Sequence, residues 1–172
     1  MIKITWTGLT GPIFRGGPFL REKLMKRVVL IVAVLALVTV AFAALAEKKR
    51  DAEVKAMVER AVAMVKTKGL DATLKAINDP KGPFVKGDLY IFAMSLGNKR
   101  LAAGSPYNRR LLGTVADKKF NRRMAELAKT KGSGWIEYNW PKPEGNKPSP
   151  KRSFIMRVPG QDVYFGCGYY LE

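Results

Sequence analysis

Histidine is absent from all 172 residues, and cysteine occurs once, as Cys167. Without histidine there is no Ser-His-Asp triad, no zinc-hydrolase motif and no imidazole proton shuttle. A lone cysteine excludes an internal disulfide and any multi-cysteine metal site. Acidic residues are scarce, 14 Asp+Glu against 31 Lys+Arg, for a net charge of +17 and a pI near 10.2. Paired carboxylates at catalytic spacing are missing, as is a glycine-rich loop that could cradle a phosphate. These absences argue against a hydrolase or metalloenzyme, and neither metal nor cofactor is expected. The excess of positive charge points to anionic company: nucleic acid, lipid head groups or small acidic ligands. Apolar residues make up 47% of the chain and charged residues 26%, enough for one globular domain with its own core.

The one long hydrophobic run is Val28–Ala46, 19 residues without a charge, behind Lys26-Arg27 and ahead of Glu47-Lys48-Lys49-Arg50. A transmembrane helix needs about 20 apolar residues. A secretory signal needs a positive start, a shorter apolar stretch and small residues before the cut. Met25-Lys26-Arg27 is such a start and Ala44-Leu45-Ala46 such a cut site, and the alanine-rich end of the run is a weak bilayer span. The expectation is a signal peptide over 25–46 cleaved after Ala46, with an uncleaved inner-membrane anchor as the alternative. Residues 1–24 fit neither role and are expected to be unstructured or to precede the true start at Met25. The mature chain, 47–172, would carry 25 basic and 13 acidic residues, a charge of +12. Export weakens the nucleic-acid reading, because the domain then meets lipids and small anions first.

Within 47–172 the spacing of Val54, Met57, Val58, Ala61, Val62 and Val65 predicts a long amphipathic helix ending at Gly69. A short second helix carries Leu70, Leu74 and Ile77 on one side. Asp79-Pro80-Lys81-Gly82-Pro83 breaks the chain. Strands are expected over Asp88–Ser95, Arg100–Ala103 (joined to the first through Gly97-Asn98), Trp135–Trp140, Lys151–Val158 and Val163–Tyr170, with a helix near Lys118–Lys131. Helices first and hairpin-linked strands after is the order of an antiparallel α+β fold.

Three stretches resemble the single Cache domain, type 2, an extracytoplasmic PAS-like sensor module of bacteria. They are Asn78–Phe92 (NDPKGPFVKGDLYIF), Gly132–Pro143 (GSGWIEYNWPKP) and Lys151–Gly160 (KRSFIMRVPG) running into Gly166–Tyr170. With the long helix they cover 47–172. The resemblance implies a long N-terminal helix packed on a PAS-like antiparallel sheet of about five strands, and a ligand pocket on the opposite sheet face. It also implies small metabolites as ligands, often short carboxylates. The chain departs from the family where a His-Pro pair usually follows the second strand, here Ala103-Gly104. It departs again at a tryptophan near the last strand, here Val163-Tyr164. Both departures leave ligand identity open. Because the chain stops at Glu172, signalling is expected to pass to a separate membrane partner, and the long helix is a candidate homodimer interface.

Candidate ligand-binding residues come from two sources. Alternation puts Lys151, Ser153, Ile155 and Arg157 on one face of the Lys151–Val158 strand, and Arg152, Phe154, Met156 and Val158 on the face that packs on the helix. Lys151, Ser153 and Arg157 would supply ammonium, hydroxyl and guanidinium donors to a carboxylate; Lys151 also matches the family motif. Tyr90, Phe92, Tyr138 and Trp140 offer walls for a small pocket, with Trp135 on the opposite side of its strand from Tyr138 and Trp140. Each also has an ordinary reading as solvated surface or core. The ten basic residues between Lys99 and Lys131 read mainly as a solvated face, and Cys167 between two glycines as a small buried thiol. The expected function is therefore non-enzymatic sensing of a short carboxylate. Two alternatives remain: a membrane-tethered interaction protein whose basic face binds anionic lipid or a protein, and a basic nucleic-acid binder.

Overall fold

Helix α1 runs from Pro18 to Lys68 and ends where Gly69 takes a φ of 82°, a left-handed conformation that stops helical hydrogen bonding at little steric cost. The computed structural model describes residues 18–142 and 147–171. Of the first 24 residues, 1–17 lie outside the described residues and 18–24 begin α1. The chain divides into two compact units, Met1–Leu45 and Ala46–Glu172. In the described part of the first, Val28, Leu30, Leu35 and Phe42 are all exposed. The helix there is long and apolar enough to cross a membrane, and its place near the N-terminus is equally that of a signal sequence.

In the second unit α1 presents Val54, Met57, Val58, Ala61 and Val62 as one buried stripe, the three- and four-residue spacing acting as expected. Helix α2 (Leu70–Asn78) packs Leu74 and Ile77 into the same core. A two-stranded ribbon, β1 (Val85–Lys86) with β2 (Leu89–Tyr90), precedes β3 (Phe92–Ser95) and β4 (Arg100–Ala103). The continuous strand expected over Asp88–Ser95 is thus broken at Ile91, whose N–H bonds the Phe84 carbonyl rather than the main sheet. One turn of helix, α3 (Pro106–Arg109), and the longer α4 (Lys119–Thr130) lead to β5 (Ser133–Pro141), β6 (Pro148–Arg157) and β7 (Val163–Tyr170).

The main sheet has five strands in the order β4-β3-β7-β6-β5, all antiparallel. With the N-terminal helix on one face this is the α+β, PAS-like architecture expected. β7 is central and every one of its eight residues is buried. A strand covered on both faces carries no polar alternation. Val163, Phe165, Cys167 and Tyr169 meet α1 and α2, together with Phe154 of β6 and Val158 just after it. Tyr164 of β7, with Phe92, Met94, Ile136 and Ile155, forms a second core under Met124, Ala125 and Ala128 of α4. The Cys167 thiol sits against the Met57 sulfur at 3.7 Å, and burial pushes it up to about 12, so it is an inert core group.

Candidate ligand site

A cavity opens on the sheet face away from α1. Its walls are Tyr90, Phe92 and Met94 from β2 and β3, Arg100 from β4, Asn108 from α3, Phe120, Asn121 and Met124 from α4, and Tyr138 and Trp140 from β5. Its volume is about 40 Å³. At about 10–15 Å³ per water this is room for a few small atoms. The aromatic wall is stiffened by contact: Phe120 stacks on Tyr138 with centroids 4.6 Å apart and meets Trp140 edge-on at 5.9 Å. Gly166 and Gly168 of β7 let Phe92 and β6 pack directly against the strand behind this wall. A Cβ at Gly166 would lie 2.2 Å from the Phe92 ring, and one at Gly168 2.1 Å from Ser153 Oγ.

One step behind this wall stands Lys151. The register places it between Tyr138 on β5 and Tyr170 on β7, with no exposed surface. Its Nζ donates to the Tyr90 hydroxyl at 2.9 Å and lies 4.0 Å and 4.7 Å from the ring centroids of Tyr90 and Tyr170. Among the described residues no carboxylate lies within ion-pair distance of it. Desolvation therefore dominates, and the ammonium is pulled down to about 8. Tyr90 also accepts from Asn108 Nδ2 at 3.2 Å, and burial holds its phenol well above the ordinary tyrosine range. Tyr138, likewise raised by burial, shares a hydrogen bond of 3.1 Å with Ser153.

The next residue on β6 faces the other way. Arg152 Nε and Nη2 donate to the two carboxylate oxygens of Asp51 on α1, at 3.2 and 3.0 Å, and Nη1 donates to Glu137 on β5 at 2.9 Å. The Tyr169 hydroxyl donates to the same Asp51 at 3.0 Å. The Asp51 carboxylate holds the guanidinium above its ordinary range, while burial and then Asp51 push Tyr169 up to about 12.

The predicted residues thus separate. Tyr90, Phe92, Tyr138 and Trp140 line the cavity together, and Trp135 packs against Phe154 on the opposite face as alternation requires. Lys151 and Ser153 reach the cavity through the hydroxyls of Tyr90 and Tyr138 and do not themselves line it. Arg157 does not join them: six residues along an extended strand is about 20 Å, and Arg157 is partly exposed there beside Asp162 at 3.8 Å. The basic residues Lys118, Lys119, Arg122 and Arg123 lie on the exposed side of α4 and its N-terminal edge.

Sequence reasoning missed Arg100, Asn108 and Asn121. Arg100 reaches the cavity because the β3–β4 pairing slips between Ala93 and Met94, setting Arg100 opposite Met94 instead of Leu101. Asn108 and Asn121 are 7% and 4% exposed, and no motif marked them. A buried asparagine on a polar helix is legible only once its neighbours are known.

A long helix on one face of a five-stranded antiparallel sheet, with a small aromatic cavity on the other, defines an α+β sensor-type domain. The Cache domain model matches residues 85–172, and the chain belongs to the Cache domain family. Cache domains are extracytoplasmic sensor modules. Three solved structures share the fold. A periplasmic sensor domain of a chemotaxis protein aligns at a TM-score of 0.58 and 25% identity over 74% of this chain and 98% of its own. A Cache chemosensory domain solved for carboxylic acid recognition aligns at 0.56 and 21%, over 73% and 92%. A methyl-accepting chemotaxis protein from Vibrio parahaemolyticus aligns at 0.58 and 18%, over 73% and 90%.

Proposed function

We propose that this domain senses a short carboxylate, recognised at the cavity beside Lys151. The observation that carries the reading is a fully buried ammonium whose only hydrogen-bond partner among the described residues is a neutral phenol. Burying a charge without a counter-charge is costly. A carboxylate in the cavity, separated from Lys151 by the Tyr90 hydroxyl, would bring the missing counter-charge close to the ammonium. Carboxylic acid recognition by a structurally similar Cache chemosensory domain supports the ligand class. Arg157, remote from Lys151, has no part in this reading.

The state would pass to a signalling partner along β6. Lys151 and Arg152 are consecutive and face opposite sides of the sheet, so a shift of the strand toward a bound carboxylate moves the Arg152–Asp51 pair that ties β6 to α1. Such a ligand favours one of two packings, a population shift. The proposed site of action is extracytoplasmic, with the chain cut after Ala46.

The test is a thermal-shift titration of the full chain in detergent micelles against short mono- and dicarboxylates. A ligand at about a hundred times its dissociation constant adds about 2.7 kcal/mol, a rise of several degrees for a domain of this size. Lys151→Met is expected to abolish the saturable rise. Flat curves for the whole panel would refute the carboxylate reading and favour the basic-face interaction protein.

A further inference from the structure

We infer that the side-chain carbonyls of Asn108 and Asn121 receive a hydroxyl of the ligand, so the site takes a short hydroxycarboxylate in preference to the unsubstituted acid. The inference rests on the carboxylate reading above and assigns the second half of the same ligand. Both asparagines line the cavity, both are more than nine-tenths buried, and neither Oδ1 has a hydrogen-bond partner among the described residues. Leaving a buried acceptor unpaired is unfavourable, and here two of them line one small space.

One of them stands close to the cation. Asn108 has its Nδ2 committed to the same Tyr90 hydroxyl that accepts from Lys151. The acceptor pole therefore begins one phenol away from the cationic pole, close enough for one short ligand to reach both. The charge of the lining selects the kind of donor. Among the described lining residues there is no carboxylate, and Arg100 stands in the wall with Lys151 behind it. A ligand ammonium would meet two cations and only neutral oxygens; a hydroxyl meets two acceptors with no charge penalty.

Isothermal titration of the full chain in detergent, with two matched series, tests this. The probes are acetate, glycolate and glycine, then propionate, each enantiomer of lactate, and L-alanine. The hydroxy acid of at least one series is expected to bind about tenfold or more tighter than both its parent acid and its amino analogue, because a site built around hydrogen-bonding groups rejects the molecule that leaves them unpaired. Asn121→Ala is expected to erase most of that advantage, bringing the hydroxy acid to within about twofold of its parent acid in the same variant. Equal binding of hydroxy and parent acids, or tighter binding of the amino acid, overturns this inference alone. Silence of all the probes overturns the carboxylate site and this inference with it. An Asn121→Ala protein that weakens parent and hydroxy acid equally also counts against it; if that variant does not fold, the wild-type series decides.

Discussion

Lys151 is the residue whose ionisation the fold works against. Its ammonium is held near 8 rather than the ordinary 10.5, so between those values the unfolded chain binds the extra proton and the folded one does not. Stability of the ligand-free domain then rises with pH across that interval. Cys167 acts in the opposite sense above its unfolded value of 9.0, since its folded thiol is held near 12. The clear window is therefore pH 8–9. Thermal melts are expected to rise across it in the wild type and to lose that rise in Lys151→Met. At pH 7 the same variant is expected to be more stable than the wild type by up to about 3 kcal/mol, at 1.36 kcal/mol per pKa unit, although it no longer binds. A stability gain combined with a loss of binding separates a functional charge from a structural one. Gly168 gives a second residue-scale prediction. A Cβ there would lie 2.2 Å from the Arg152 carbonyl, which is backbone and cannot rotate away. Gly168→Ala is expected to cost about 1–3 kcal/mol in chemical denaturation.

At the scale of elements, β6 joins the two faces of the sheet. Its alternation places Lys151 and Ser153 under the cavity walls, and Phe154 against the α1 side of the sheet. Arg152 adds a two-pronged bond to Asp51, with side chains about a quarter exposed. Solvent screening at that exposure limits the pair to about 1 kcal/mol of stability. Its value to a sensor is the connection. Hydrogen–deuterium exchange over residues 47–60 is expected to change when a carboxylate binds the wild type. In Arg152→Met that change is expected to vanish with affinity kept within about twofold. Unaltered ligand-induced protection in the variant would remove β6 as the route. The element boundaries show what sequence reading catches. The stripe from Val54 to Val62 and the stop at Gly69 were legible because helix periodicity and a left-handed glycine are local rules. The break at Ile91 was not, because DLYIFAMS has uniform strand propensity and only pairing with β1 divides it.

At the scale of the whole molecule, the question is what becomes of Val28–Ala46. Intact-mass analysis of the chain produced with its own leader in a bacterial host is expected to find an extracytoplasmic form beginning at Glu47. Recovery of the uncut chain in the membrane fraction would establish the anchor in its place. The pocket end and the α1 end of the domain are joined through one sheet, so a ligand of a few atoms has a short path to the helix.

Composition, a helical stripe and five strand-forming stretches determined by themselves that this is a basic α+β domain with a sensor's order of elements, since those signals depend on neighbours a few residues apart. The aromatic walls and Lys151 were also legible, from alternation and motif. Which cations share the site was decided only by tertiary structure. Lys151 and Arg157 are equivalent by parity, yet distance along the strand buries one beside the cavity and leaves the other at the surface. The slip between β3 and β4 turns Arg100 inward, and helix packing closes Asn108 and Asn121 over the space. Lys151 meets Tyr90 across 61 positions and Asn108 meets it across 18, separations that no local pattern encodes.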